Sequence, residues 1–259
     1  MTWLNTSVQS GFARSASEAM FPRLFPDAGW WSPSLNPAMG GTRLWDLSRG
    51  NWGTLTNMAN DDWVISGGKG ALDFDGVNDY LVCNGVDFAA NTSMTISVWV
   101  FIRSTTGYRT ILSRRGVTTN YELSLDTGNT KFGFFSGVGF TPSTSNVGLN
   151  TWAHLVVSVN PSGTSYFLNG SPDGTSSDKI GTPTAADSLW IGQVPAGGGT
   201  QRFDGRLDDI RLYRRAFTAT EARQIWHIGR GNMPLRRRRR YTEQAGGNRR
   251  RRVLLGAEC

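Results

Sequence analysis

The chain has 259 residues, 38% of them apolar, with 32 glycines and 10 prolines, a balance that describes a turn-rich globular body and excludes a fully disordered one. Its formal charge of +7 belongs to the tail: nine arginines from Arg236 onward face only Glu243 and Glu258, so residues 1–235 are balanced. Two cysteines, Cys83 and Cys259, exclude a disulfide framework, and free thiols are expected.

The opening MTWLNTSVQSGF has neither a basic region nor a long apolar core, and no apolar run approaches the roughly 18 residues of a membrane span, so neither a signal peptide nor a span is expected. Residues 1–42 read as an irregular arm in which Pro22, Pro26, Pro33 and Pro37 interrupt Phe21, Phe25, Trp30 and Trp31. Prolines at that density leave room only for a short helix over 13–20.

Strand signals then recur from about residue 70 to 215 (ALDFD, DYLVC, MTISVWVFI, RTILSRR, YELSLD, KFGFFSG, TWAHLVVSVN, SYFLNG, SLWIGQ and RFDGRLDDIRLY). In TISVWVF, Ile96, Val98 and Val100 face one way and Ser97, Trp99 and Phe101 the other, which predicts a strand covered on both sides. Trp99, Trp152 and Trp190 lie inside such patterns and are expected in the core. Turn pairs such as Asp75-Gly76, Asn169-Gly170 and Asp173-Gly174 separate the runs. Short strands without intervening helical patterns mean an all-β sandwich or barrel. One helix follows: Thr218 and Glu221 form a capping box, Ala222, Ile225 and Trp226 an apolar stripe, and Gly229 and Gly231 a stop before Pro234.

The residues supply little for catalysis. Asp73, Asp75, Asn78 and Asp79 crowd the stretch ALDFDGVNDYLVC without a histidine and read as a strand, a tight turn and a second strand. His154 and His227 are the two histidines, too few for a triad or a His-rich metal site, and no glycine-rich phosphate loop precedes a helix. Glu122, Ser124 and Asp126 share a strand face, but the two acids stand about 13 Å apart at roughly 3.3 Å per residue, a poor match to a glycosidase pair. Hard oxygen ligands from Asp and Asn leave calcium as the remaining possibility.

Six motifs in order, RLWDLSRGNWGTLTN (43–57), ALDFDGVNDYLV (71–82), MTISVWVF (94–101), NTWAHLVVSVNPSGTSYFLNG (150–170), LWIGQ (189–193) and FDGRLDDIRLYRRAFTATE (203–221), resemble the laminin G-like domains of the concanavalin A-like lectin/glucanase superfamily. The resemblance implies a two-sheet antiparallel jelly-roll sandwich over 43–228 with one short C-terminal helix, followed by an arginine-rich tail over 229–259. It implies a structural calcium at Asp208 of LDDIRLY, with Asp46 or Asp75 as partners. Glycan contacts are expected from loop-borne polar and aromatic groups, namely Tyr108, Arg109, Asn120 and Tyr121, with Arg114, Arg115 and the 195–201 loop nearby.

GWWSPSLNP and the run from LTNM to GVNDY further resemble laminin G-like proteins of phages and their hosts. The implied role is a non-enzymatic virion structural protein, made in the host cytoplasm, oligomeric among other virion proteins and carrying an adhesion module for host-surface glycan. The tail of Arg236, Arg237, Arg238, Arg239, Arg240, Arg249, Arg250, Arg251 and Arg252 would then grip nucleic acid or an acidic protein surface. The alternatives are a free bacterial calcium-dependent lectin and a degenerate glycoside hydrolase.

Overall fold

The computed structural model describes residues 24–231 apart from 37–38, 105, 117, 129, 138, 185–186 and 196–200. The helix expected over 13–20, the arginine tail, Cys259 and most of the 195–201 loop lie outside the described residues. Among those described, no helix is long and apolar enough to cross a membrane.

The strands in chain order are β1 (Gly29–Trp31), β2 (Arg43–Trp45), β3 (Trp52–Thr56), β4 (Trp63–Ser66), β5 (Lys69–Asp75), β6 (Tyr80–Cys83), β7 (Met94–Ile102) and β8 (Arg109–Arg115). They continue with β9 (Thr119–Leu125), β10 (Phe132–Phe135), β11 (Thr141–Pro142), β12 (Trp152–Asn160), β13 (Gly163–Leu168), β14 (Ser171–Ser176), β15 (Leu189–Ile191) and β16 (Asp204–Tyr213), and helix α1 is Ala219–Gly231. They form two 8-stranded sheets. The back sheet runs β14-β13-β12-β7-β16-β5-β4 with β1 added on β16, and the front sheet runs β11-β10-β9-β8-β15-β6-β3-β2. The strand ladders are antiparallel throughout, and the fold is the expected all-β sandwich.

Period-2 alternation explains the core. Ile96, Val98 and Val100 of β7 and Leu155, Val157 and Val159 of β12 meet Leu81 and Cys83 of β6, Leu123 and Leu125 of β9, Phe132 and Phe134 of β10, and Leu189 and Ile191 of β15 in one buried cluster. Burying each such side chain is worth roughly 1.5–3 kcal/mol.

The outer face of the back sheet is covered as well. Val156, Phe167 and Tyr213 pack with Leu24, Phe217, Ala222, Ile225 and Ile228, so β7 is buried on both sides as its pattern predicts. The capping box is present: the Glu221 N–H donates to Thr218 Oγ1 at 3.3 Å, and the Thr218 N–H to Glu221 Oε2 at 2.9 Å. Gly229 does not end the helix, which continues to Gly231. Instead it permits close approach, since a Cβ there would lie 2.3 Å from Nε1 of the buried Trp99.

The segment read as an arm also differs. Trp30 and Trp31 are buried, and β1 pairs with β16, Trp31 opposite Ile210, so the sandwich begins upstream of residue 43. Tryptophans between prolines signal burial, but only a long-range partner makes them a strand.

Candidate functional site

The acid-rich stretch is structural. Asp75 Oδ1 accepts the N–H groups of Val77 and Asn78 at 2.7 and 3.2 Å, and Gly76 takes φ 76°, the left-handed value a tight turn requires. Asp79 Oδ2 accepts the Asp75 N–H at 2.9 Å. Burial, helped by the charges of Asp75 and Asp62, pushes the Asp79 carboxyl up to about 6. Asp73 pairs with Arg103 and with Arg206, whose Nε lies 2.9 Å away, and Arg103 Nε reaches Asp204 at 2.8 Å.

A second acidic group is buried beneath β1. Asp46 Oδ1 accepts the Trp30 N–H at 3.0 Å and the Ser48 hydroxyl at 2.7 Å. Asp208 accepts the hydroxyls of Ser32 and Ser34 at 3.0 and 2.9 Å. Asp209, at φ 52° in the irregularity of β16 between Asp208 and Arg211, holds Arg211 at 2.7 and 3.0 Å and the Trp30 indole N–H at 2.8 Å. Burial and the neighbouring Asp209 charge raise Asp208 to about 6. Burial acts upward on Asp209 too, but the Arg211 charge, the Arg211 and Trp30 hydrogen bonds and Lys69 outweigh it and hold that carboxyl below its usual value.

The implied calcium set does not fit this arrangement. Asp208 spends both oxygens on Ser32 and Ser34 next to β1, Asp46 Oδ1 is shared by Trp30 and Ser48, and Asp75 serves an exposed turn. Among the described residues no group of three or more His, Cys, Asp or Glu is placed to hold a metal.

His154 lies in the same layer, with Nε2 2.8 Å from Ser97 Oγ and its ring centroid 5.0 Å from that of Trp99. Burial lowers its pKa to about 3, so the imidazole is neutral and unsuited to work as a base. His227 is exposed on α1.

Chemistry directed at solvent is on the front sheet. Leu44, Leu55, Leu81, Cys83, Leu189 and Ile191 are core, so alternation turns Arg43, Trp45, Trp52, Thr54, Tyr80, Val82 and Trp190 outward. Trp45 and Trp52 are cross-strand partners with ring centroids 5.6 Å apart, exposed by 39% and 45%. The Arg43 guanidinium sits 4.6 Å from the Trp52 ring. Tyr80 stacks on Trp190 at 4.6 Å with an interplanar angle of 24°.

The register carries this face across the sheet. Thr54 pairs with Val82, Val82 with Trp190, Trp190 with Ser113, Ser113 with Glu122, and Glu122 with Phe135. Glu122 Oε2 accepts the Ser113 hydroxyl at 3.1 Å, and Oε1 accepts that of Ser124 at 2.6 Å. Arg115 Nη1 lies 3.9 Å from Glu122, its guanidinium 5.9 Å from the Phe135 ring. Beyond it opens a cleft of about 620 Å³ lined by Asn91, Arg115, Thr118, Phe135, Ser136 and Lys179, among others.

The predicted glycan residues scatter. Tyr108 is 40% exposed and meets Phe140 edge-on at 5.9 Å. Arg109 donates to the Arg202 carbonyl at 2.8 Å. Asn120 and Tyr121 are corrected: both are wholly buried, Asn120 donating to the Phe88 and Gly181 carbonyls at 3.0 and 2.6 Å and Tyr121 to the Val86 carbonyl at 2.7 Å. They close the rim of the sandwich instead of facing a ligand, because β9 is buried along its whole length. Trp190, expected in the core, stands half-exposed on the outward face, and Trp152 is half-buried with its indole N–H 3.1 Å from the Ser66 carbonyl.

Two facing antiparallel sheets, one covered by a helix and the other presenting an aromatic face, define a lectin-type jelly roll. The family model of the Concanavalin A-like lectin/glucanases superfamily, laminin G type, matches residues 75–223, more than half of the chain, and the chain belongs to that superfamily. A Trypanosoma rangeli sialidase in complex with 2,3-difluorosialic acid is similar, with a TM-score of 0.58 and 19% identity over 80% of this chain and 33% of the sialidase chain. The chain thus spans about a third of that enzyme's length. Domain 4 of AbnA, a GH43 extracellular arabinanase from Geobacillus stearothermophilus, in complex with arabinotriose, is similar with a TM-score of 0.57 and 18% identity over 76% of this chain and 97% of that domain. Such likeness shows the fold. No curated protein matches the chain.

Proposed function

We propose that the protein is a non-catalytic carbohydrate-binding module that holds glycan against the outward face of the front sheet. The observation that carries this reading is the exposed pair Trp45 and Trp52 with the half-exposed Tyr80–Trp190 stack beside it. A sugar ring presents C–H groups on its faces and hydroxyls on its edges. Indole and phenol faces take the former, and Arg43 and Thr54 offer hydrogen bonds to the latter.

The same geometry argues against turnover. Glu122 is 3% exposed and is occupied by hydroxyls and Arg115, and Asp126, the acid nearest along its face, is four positions away at the end of β9, where its Oδ1 accepts the Thr127 N–H at 2.8 Å. Retention on polysaccharide gels tests the reading: Trp52→Ala is expected to weaken binding about tenfold, the scale of one lost aromatic stack. EDTA should change nothing. Retention unaffected by Trp45→Ala and Trp52→Ala together refutes the site, and release of reducing sugar refutes the non-enzyme reading.

The finer reading is an oligomeric structural and adhesive component of a phage particle, with host-surface glycan as ligand. Its nine tail arginines would neutralise nucleic acid or an acidic virion surface. The phage-like phrases GWWSPSLNP and DDWVISGGKGALDFDGVNDY support it. Mass spectrometry of purified particles tests it, and absence of the protein from them would sink it.

A further inference from the structure

The outward face of the front sheet is not one aromatic patch but a line. Along the pairing Thr54–Val82–Trp190–Ser113–Glu122–Phe135, the rings of Trp190 and Phe135 stand at either side of Ser113 and Glu122, which are themselves buried. Trp52 and Trp45 continue the line on β3 and the edge strand β2. At the other end Phe135 opens into the cleft shared with Arg115 and Lys179.

From β3 to β10 the line crosses β6, β15, β8 and β9, roughly 24 Å at about 4.8 Å per strand spacing. Its polar groups also lie between the rings. Arg115, half-exposed, sits above the buried Glu122, whose carboxylate is saturated by the hydroxyls of Ser113 and Ser124. The guanidinium lies between Glu122 and the Phe135 ring, and its N–H donors are of the kind that take sugar hydroxyls or acidic sugar groups. Lys179, exposed on the cleft wall, has no ion pair among the described residues.

We propose that this line binds an internal segment of an extended polysaccharide, lying across the strands from Trp45 and Trp52 over Tyr80–Trp190 and past Arg115 to Phe135. The recognised unit is a run of several sugars, not a chain end. An end-recognising lectin concentrates its contacts in one pocket, whereas here the rings are spread over β2, β3, β6, β15 and β10 with a hydrogen-bonding group between them. A folded protein partner would require a contiguous apolar patch, which the Arg43, Thr54 and Arg115 positions interrupt.

The proposal rests on the glycan reading but fails separately from it. The full chain is first screened on a panel of purified neutral and acidic polysaccharides, and retention of none overturns both. For a polymer that is retained, size-defined oligomers are titrated calorimetrically. Affinity is expected to rise at least about tenfold from disaccharide to hexasaccharide, as additional rings engage. Trp45→Ala and Phe135→Ala, from opposite ends of the line, should each weaken the hexasaccharide about tenfold, and Arg115→Gln, which removes the charge but keeps N–H donors, should weaken it as well. Melting temperatures within a few degrees of the parent establish that these outward substitutions leave the fold intact. A mono- or disaccharide that binds as tightly as the polymer, or polymer binding abolished by chemical capping of its chain ends, overturns the internal-segment proposal while leaving glycan binding standing. Phe135→Ala without effect on the hexasaccharide overturns it too.

Discussion

Asp209 offers the sharpest test of the distinction between acids that build the fold and groups that face a ligand. Its carboxylate holds Arg211 through two contacts of 2.7 and 3.0 Å and the Trp30 indole through one of 2.8 Å. The Arg211 side chain is 1% exposed and lies 4.5 Å from the Trp30 ring. Asp209→Ala removes the counter-ion from a guanidinium that water cannot reach, at a cost of about 3–5 kcal/mol. At φ 52° alanine also pays roughly 1–2 kcal/mol for left-handed backbone that Asp tolerates better. A loss of about 4–7 kcal/mol is a large share of the ~5–15 kcal/mol that holds a domain together. Guanidinium denaturation followed by tryptophan fluorescence reads it, with Asp209→Asn losing less because it keeps acceptors and the left-handed preference. Adding Arg211→Met to Asp209→Ala should recover part of the loss, since the guanidinium is then no longer buried without its counter-ion. A single variant within about 1 kcal/mol of the parent, a typical surface effect, refutes the structural assignment and reopens this cluster as a binding site.

Two further outcomes follow from the same layer. Asp208 and Asp79 both have folded-state pKa values raised to about 6, so between about pH 4 and 6 the folded chain binds protons that the unfolded chain releases. Their contribution is present at the acid end of that window and lost as pH rises through it. His154, held at about 3 by burial, works against them, because below about pH 6.5 the unfolded chain protonates an imidazole that the folded chain keeps neutral. The test is therefore differential: Asp208→Asn should lose more stability relative to the parent at pH 5 than at pH 7, and an equal loss at both contradicts the assignment. Gly229→Ala would gain about 1 kcal/mol of helix propensity on an open helix. Here the new Cβ meets Trp99, itself boxed by Lys69 Nζ at 4.2 Å and His154 at 5.0 Å, and overpacking of that kind costs roughly 1–3 kcal/mol. The melting temperature should fall, and a rise would show that α1 can shift off the sheet.

What the sequence made legible had local causes. The Asp75-Gly76 turn is written in residues that bond their own backbone, the capping box in Thr218 and Glu221, and the sandwich in alternation punctuated by turn pairs. Partnerships across the chain were not legible. Nothing near Trp30 announces that β16 lies beside it, or that Asp208 and Asp209 spend their charge on Ser32, Ser34, Trp30 and Arg211. LDDIRLY therefore suggests metal ligands when its acids in fact clip the upstream segment to the sheet. Asn120 and Tyr121 stand next to a turn in sequence, but burial of β9 on both faces turns their polar atoms onto backbone carbonyls.

Trp99 and Trp190 show why the proposed glycan face in particular escaped a reading of pattern. Each stands between two core residues on a strand, Val98 and Val100 around one and Leu189 and Ile191 around the other, so alternation assigns both to the face opposite the core and can say no more. Their fates then part for reasons seated far away in the chain. Above Trp99 lies α1, brought close by Gly229, and the ring is 5% exposed. Beside Trp190 stands Tyr80 on the neighbouring strand, and the residue stays half-buried. An outward aromatic becomes core or ligand platform according to whether a later element covers its sheet, and in this chain the one described α-helix after the strands covers the back sheet. That choice leaves the aromatic residues of the front sheet as the surface on which a ligand can be held.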